Sequence, residues 1–277
     1  MNNPATALGR FIDAHGPLIA ITGAGCSAPS GIPTYRNQAA EWQRSNPIQH
    51  QEFLTREQSR KRYWARSFAG WPAVADAEPN SAHLALASLE QQGIVSALVT
   101  QNVDGLHQKA GHREVIDLHG RLDKVICLDC GSLSPRSTMQ ARLARANPFL
   151  DPKALALTPD GDAEVPAADI ERITIPNCER CDGTLKPDVV FYGGTVDKTL
   201  VQRVYDRLQA ARGVLVVGSS LMVFSAFRFV RRAAESGLPI AIVNLGVTRA
   251  DGLAALKLDA DCEAALTSFI PNRRIKP

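Results

Sequence analysis

The sequence predicts an α/β fold built on a parallel, doubly wound sheet, and three observations carry that reading. Short apolar runs alternate with amphipathic stretches along the chain. The runs are continuous and rich in Val, Ile and Leu, as strands covered on both faces by helices require. The first of them ends in a glycine loop, Gly23-Ala24-Gly25. A length of 277 residues suits one large domain or a large one carrying a smaller module, and 45% hydrophobic against 21% charged residues is globular composition. A net charge of +3 argues for neither a nucleic-acid nor a membrane surface. No apolar stretch approaches the roughly 20 residues of a membrane-spanning helix. The N-terminus also lacks a basic segment leading into an apolar core, so a cytoplasmic protein is expected.

Taken in order, strands are expected at 18–22, 94–100, 115–118, 189–191, 214–219 and 240–244. Helices fit between them. Asn80-Ser81 caps one that runs through Gln92 and stops at Gly93, and 197–212 and 225–236 show apolar spacing of three and four. Residues 36–76 are polar, aromatic and helical in pattern, an excursion from the sheet. Residues 121–188 form a second excursion bracketed by cysteine pairs; within it, 134–173 is proline-bearing, contains TPDGDAEVP, and reads as a loop or insertion.

Gly23-Ala24-Gly25-Cys26-Ser27-Ala28 approximates the dinucleotide fingerprint, in which glycines let the backbone approach a pyrophosphate and free N–H groups meet its charge. An ordinary glycine turn gives the same pattern. The acidic residue expected about 20 positions on is wanting, because Glu41 has no strand before it, and this weakens a dehydrogenase reading. Arg36 places a cation beyond the loop, for phosphate, a bound ring or a surface ion pair. Cys26 is either a nucleophile activated at a helix N-terminus or a small packed residue.

VTQNVDGLHQKAG sets Gln101, Asn102 and Asp104 at the carboxyl end of a strand, where α/β sheets bind ligands and where the same side chains could cap the next helix. VIDLHG sets His119 at another strand end. Of the six histidines, His119 and His107 are favoured by position as general acid or base. Cys127-x-x-Cys130 and Cys178-x-x-Cys181 supply two knuckles, a complete four-sulfur shell for one structural Zn2+, with redox chemistry as the rival. GVLVVGSS and IAIVN end in Gly218, Ser219, Ser220 and Asn244, groups suited to adenosine or to turns. In KPDVVFYGG, Val189, Phe191 and Gly193 belong either to an edge that pairs with an extended peptide or to the core.

Together GAGxSxxSGIPxYR, TQNVDGLH, LHG, the two CxxC pairs, KPDVVFYG, GSSLMV and a late N-x-G resemble the sirtuins, NAD-dependent protein lysine deacylases. RYWARSFAGWP and LHGRLDKVICLDCG look like the class II subgroup. The resemblance implies a single catalytic domain over 1–277: a Rossmann-like parallel sheet with a smaller zinc-binding module (121–188) and a helical module (36–76) beside the acyl pocket. It implies that Gly23, Ala24, Gly25, Ser27, Arg36, Gln101, Asn102, Asp104, Gly218, Ser219, Ser220 and Asn244 contact NAD, with Cys262 beside the adenine. Val189, Phe191 and Gly193 would meet the acyl-lysine protein or peptide, and His119 would be the catalytic base. The acyl group passes from lysine to ADP-ribose as nicotinamide leaves. Mono-ADP-ribosyl transfer to protein and a catalytically silent zinc-bearing module are the alternatives. Cys26 departs from the aliphatic residue common in the family, and no Tyr-x-x-Arg signature for succinyl or malonyl groups is evident after Arg36 to Trp42, so acidic acyl chains are less expected.

Overall fold

The structure, a computed structural model, describes residues 4–42, 47–151 and 163–270. Its strands are β1 (Leu18–Thr22), β2 (Val95–Thr100), β3 (Val115–Asp117), β4 (Gly120–Cys127), β5 (Leu133–Pro135), β6 (Leu185–Val189), β7 (Gly213–Val217), β8 (Ile240–Val243) and β9 (Leu256–Leu258). The α-helices are α1 (Pro4–His15), α2 (Ala24–Ser27), α3 (His50–Thr55), α4 (Glu57–Asp76), α5 (Ser81–Gln91), α6 (Leu106–Lys109), α7 (Arg136–Ala146), α8 (Ala167–Arg172), α9 (Lys198–Ala210), α10 (Phe224–Glu235) and α11 (Cys262–Leu266).

Six strands form one parallel sheet in the order β3-β2-β1-β7-β8-β9. Its central strands are apolar throughout because both faces are covered. Ile19, Ile21, Val214, Val216, Ile240 and Ile242 pack with Val204 and Leu208 of α9 and Phe229 and Val230 of α10. Leu18, Ala20, Leu215, Val217, Ala241 and Val243 face the other way, toward α1, α5 and α11. The period of two within each run sorts the residues between the layers. Helix α5 begins where the Asn80 side chain accepts from the Ala82 and His83 N–H groups and ends before Gly93, whose φ of 74° is left-handed. Asp197 caps α9 in the same way.

A three-stranded sheet, β5-β4-β6, stands apart with antiparallel pairing. It shares a core with the helical excursion: Val125, Cys127, Met139 and Leu143 lie in one cluster with Phe53, Tyr63, Trp64 and Phe68. Several expectations need correction. The strand expected at 189–191 is β6, which ends at Val189 because its partner is β4 rather than the large sheet. The strand expected to reach 219 stops at Val217, since Gly218 turns with φ 62°. The stretch 134–173 is not simply loop: it holds β5's end, α7 and α8. Of TPDGDAEVP, positions 158–162 lie outside the described residues.

Candidate active site

The large sheet reverses its winding at β1, which lies between β2 and β7, and a cavity of about 660 Å³ opens at the carboxyl ends of these strands. Outside the cysteine pairs, every binding or catalytic candidate except His107 and Cys26 lines it. Gly23, Ala24, Gly25 and Ser27 follow β1, and Arg36 lies further along the same loop. Gln101, Asn102 and Asp104 follow β2, His119 follows β3, and Val189, Phe191 and Gly193 continue from β6. Gly218, Ser219 and Ser220 follow β7, Asn244 follows β8, and Cys262 opens α11. The first and fifth of these loops touch: Gly25 N–H donates to the Gly218 carbonyl at 2.8 Å, and a Cβ on Gly218 would strike the Cys26 backbone nitrogen. Glycine is required there by contact as well as by conformation.

Polar side chains tie the strand ends together. Ser27 Oγ donates to Asp104 Oδ2 at 2.8 Å, and Asn102 Nδ2 donates to Ser27 Oγ and the Gly23 carbonyl at 2.9 and 3.0 Å. Gln101 Nε2 reaches Ser219 Oγ at 2.7 Å. Asp104 also accepts from Leu106 N–H at the start of α6, so it steadies that turn and faces the cavity at once. Burial pushes its carboxyl up, while the Leu106 and Ser27 hydrogen bonds oppose the shift. Arg36 donates to the Ala40 carbonyl at 2.7 Å and lies 4.1 Å over the Trp42 ring, an internal seat rather than a surface ion pair.

His119 is held at both ring nitrogens. Nδ1 lies 3.0 Å from the Gln101 carbonyl oxygen, which can only accept, so Nδ1 carries the proton and Nε2 the lone pair. Nε2 is 2.7 Å from Ser225 Oγ. Burial lowers the histidine below its usual value of 6.5; the Gln101 contact opposes this and the charge of Arg228 adds to it. The imidazole is therefore neutral at neutral pH and able to accept a proton. His107 does not share the cavity: it is buried, with Nε2 2.8 Å from Thr22 Oγ1. Cys26 is fully buried beside His83 and His107, and burial drives its thiol well above the ordinary range. The nucleophile reading falls, and Cys26 is a packed residue.

The four remaining ligand candidates converge. The sulfurs of Cys127, Cys130, Cys178 and Cys181 all lie within 4.8 Å of one another, with Cys127–Cys181 at 3.5 Å and Cys130–Cys178 at 3.8 Å. A tetrahedral shell with Zn–S bonds of about 2.3 Å needs sulfurs about 3.8 Å apart, so this donor set fits one Zn2+ with no position left for water.

The Sir2 family model matches residues 23–225. The chain belongs to the Sir2 family. An NAD-dependent protein deacetylase 2 of Bradyrhizobium diazoefficiens is 52% identical over 264 residues, covering 95% of this chain and 97% of that protein. The NAD-dependent protein lipoamidase sirtuin-4, mitochondrial, of Bos taurus is 46% identical, covering 95% of this chain and 85% of its own. Among solved structures, a Sir2–p53 peptide–NAD+ complex superposes with a TM-score of 0.75 at 28% identity, covering 95% of each chain.

Among the cavity residues of this Sir2-family chain that the sequence did not single out, three bear on the chemistry. Ser225 and Arg228 sit in the first turns of α10, where the apolar spacing of that helix drew attention to its buried side. Tyr63 lines the cavity from α4, its ring 5.2 Å from Phe191. A Tyr-x-x-Arg pattern does occur, at Tyr63 and Arg66, later than the segment where it was sought. Arg66 Nε donates to the Ala163 carbonyl at 3.3 Å, and Arg66 is not among the cavity-lining residues.

Proposed function

We propose that this chain is an NAD-dependent protein lysine deacylase in which His119 is the base. The observation that carries the reading is the seating of His119. Its neutral Nε2 opens on the same cavity as the Gly23–Ser27 loop, the polar strand ends and the 189–193 edge. Bound NAD supplies a ribose carbon that loses nicotinamide when the acyl oxygen attacks it. The donor set fits that group: serine hydroxyls at 27, 219 and 220 and the amides of Gln101, Asn102 and Asn244 line the cavity beside Gly23 and Gly25, which have no side chain to hold a pyrophosphate off. Cys262, at the start of α11, would border the adenine.

Within this frame His119 Nε2 takes the proton of a ribose hydroxyl, while the Gln101 carbonyl keeps the ring in the required tautomer. Asp104 holds Ser27, and Asn102 ties Ser27 to Gly23, so the loop is rigid before ligand arrives. Val189, Phe191 and Gly193 border the acyl-lysine. Ile48, Tyr63 and Phe191 give this end of the wall an apolar surface, which favours acetyl and longer aliphatic acyl groups over charged ones. His119→Ala retains NAD and peptide binding by calorimetry and loses turnover by at least a hundredfold in a mass-spectrometric assay of acyl-peptide. Undiminished deacylation by that variant overturns the assignment.

A further inference from the structure

Four arginines lie along α10 or against it, Arg228, Arg231, Arg232 and Arg249, and two of them have no acid to answer them. Phe224, 45% exposed, carries the guanidinium carbons of Arg231, Arg228 and Arg249 at 5.3, 5.6 and 5.8 Å from its ring centre. Arg249 also lies 4.4 Å over Phe227, and donates to the Met222 carbonyl at 3.3 Å, which fixes it to the 220–225 segment of the cavity lip. Arg231 and Arg232 share Glu235, at 3.5 and 4.0 Å. Among the described residues no carboxylate forms an ion pair with Arg228 or Arg249. The acid next along the chain, Asp251, is turned instead to Thr248 and Lys257.

Guanidiniums gathered on one ring without counter-charge repel each other, and the aromatic face offsets only part of that. Arg228 lines the cavity itself, and its Nε is buried without a hydrogen-bond partner. Such a donor costs free energy until something accepts from it. The lining also includes the apolar Ile48, Tyr63 and Phe191, a surface that suits an acyl chain and not a carboxylate. Phe224 lines the cavity and is exposed, so the arginines on its ring stand where the cavity meets solvent, within reach of residues flanking a lysine inserted from that side. An extended chain advances about 3.3 Å per residue, so neighbours one or two positions from that lysine remain beside the lip.

We propose that Arg228 and Arg249, assembled on Phe224, form a subsite for a carboxylate side chain flanking the acyl-lysine, making this enzyme selective for acidic peptide sequences. The inference rests on the deacylase reading above. Its test compares acetyl-lysine peptides of one length with Glu, Ala or Lys at the two positions on each side, with NAD saturating and the zinc-loaded chain. The Glu peptide is turned over with kcat/KM about tenfold above the Lys peptide, chiefly through KM, and the ratio shrinks in 0.5 M NaCl as exposed ion pairs are screened. In Arg228→Gln/Arg249→Gln the ratio falls toward one, whereas Arg249→Lys retains most of it. Because each ratio is internal to one protein, partial misfolding of a variant does not imitate the result. Equal rates for the three peptides, or an unchanged ratio in the double variant, overturn the subsite. If no peptide is turned over, the deacylase reading fails instead. Fluorescence anisotropy with the same labelled peptides then decides the subsite alone: Glu tighter than Lys supports it, and equal binding overturns it.

Discussion

His119 and three other buried histidines set the acid behaviour of this protein, and the direction follows from their surroundings. For His119, burial holds the folded-state value below 6.5, so the base form survives to lower pH than in a free imidazole. The acid limb of kcat/KM is therefore expected below pH 6.5. A limb at or above that value would mean that the titrating group is not this one. Stability runs the same way. His83 is lowered to about 4 by burial, His107 is lowered well below 6.5 by burial, and His112 is lowered although Glu90 opposes the shift. Below pH 6.5 these histidines bind more protons in the unfolded chain than in the folded one, so the stability they contribute is lost as pH falls through 6.5, and the share of His83 levels off near 4. For His83 alone the loss amounts to about 3 kcal/mol. Urea midpoints at pH 7.5, 6 and 5 check this: they decline in that order, and a flat series would show that the histidines are not buried neutral.

The elements differ in how openly the sequence declares them. Strands β1, β7 and β8 are legible because burial on both faces leaves apolar runs, and β2 is legible despite its exposed Ser96 because Ala97, Leu98 and Val99 follow it. β5 and β9 are three residues each and give no period to read. Helix α7 is hidden by Arg136, a residue that pattern reading sends to solvent. It is 1% exposed, its guanidinium 5.4 and 5.2 Å from the Trp64 and Trp71 rings and donating to the Ser67 carbonyl. The four cysteines were legible as a set because their spacing is local, whereas the core they serve is not. Cys127 and Cys178 belong to the same cluster as Tyr63 and Phe191 of the cavity wall. Loss of zinc is expected to reach the active site through that cluster. Chelation should release one Zn2+ per chain, lower the melting temperature and abolish turnover together. Full activity in metal-free protein would show that the module is independent of the site.

At the scale of the whole molecule the site is a property of the assembled sheet. The loop at 23–27 and the loop at 218–220 are nearly 200 positions apart, and the parallel pairing of β1 with β7 sets them against each other. Sequence reading finds each loop because glycines and amides mark strand ends, but the contact between them depends on strand order, which no local pattern states. Gly218 is where that dependence is concentrated: φ is 62°, and an added Cβ would meet the Cys26 nitrogen and the carbonyl carbon of Gly25. Gly218→Ala must push the two loops apart, because backbone rather than a flexible side chain stands in the way. The expected cost is about 1–3 kcal/mol of stability. It should be accompanied by NAD binding at least tenfold weaker in calorimetry, since the 23–27 loop would be displaced from the Ser219 and Ser220 side of the cavity. Gly237→Ala is the control. It lies after α10 with a similar φ of 73° and nothing within 4 Å of an added Cβ, so it carries the conformational penalty without the clash. If both variants bind NAD as the parent does, the loop contact is not what shapes the cradle. If only Gly218→Ala loses affinity while both lose similar stability, the close approach of β1 and β7 is what makes the cavity a dinucleotide site.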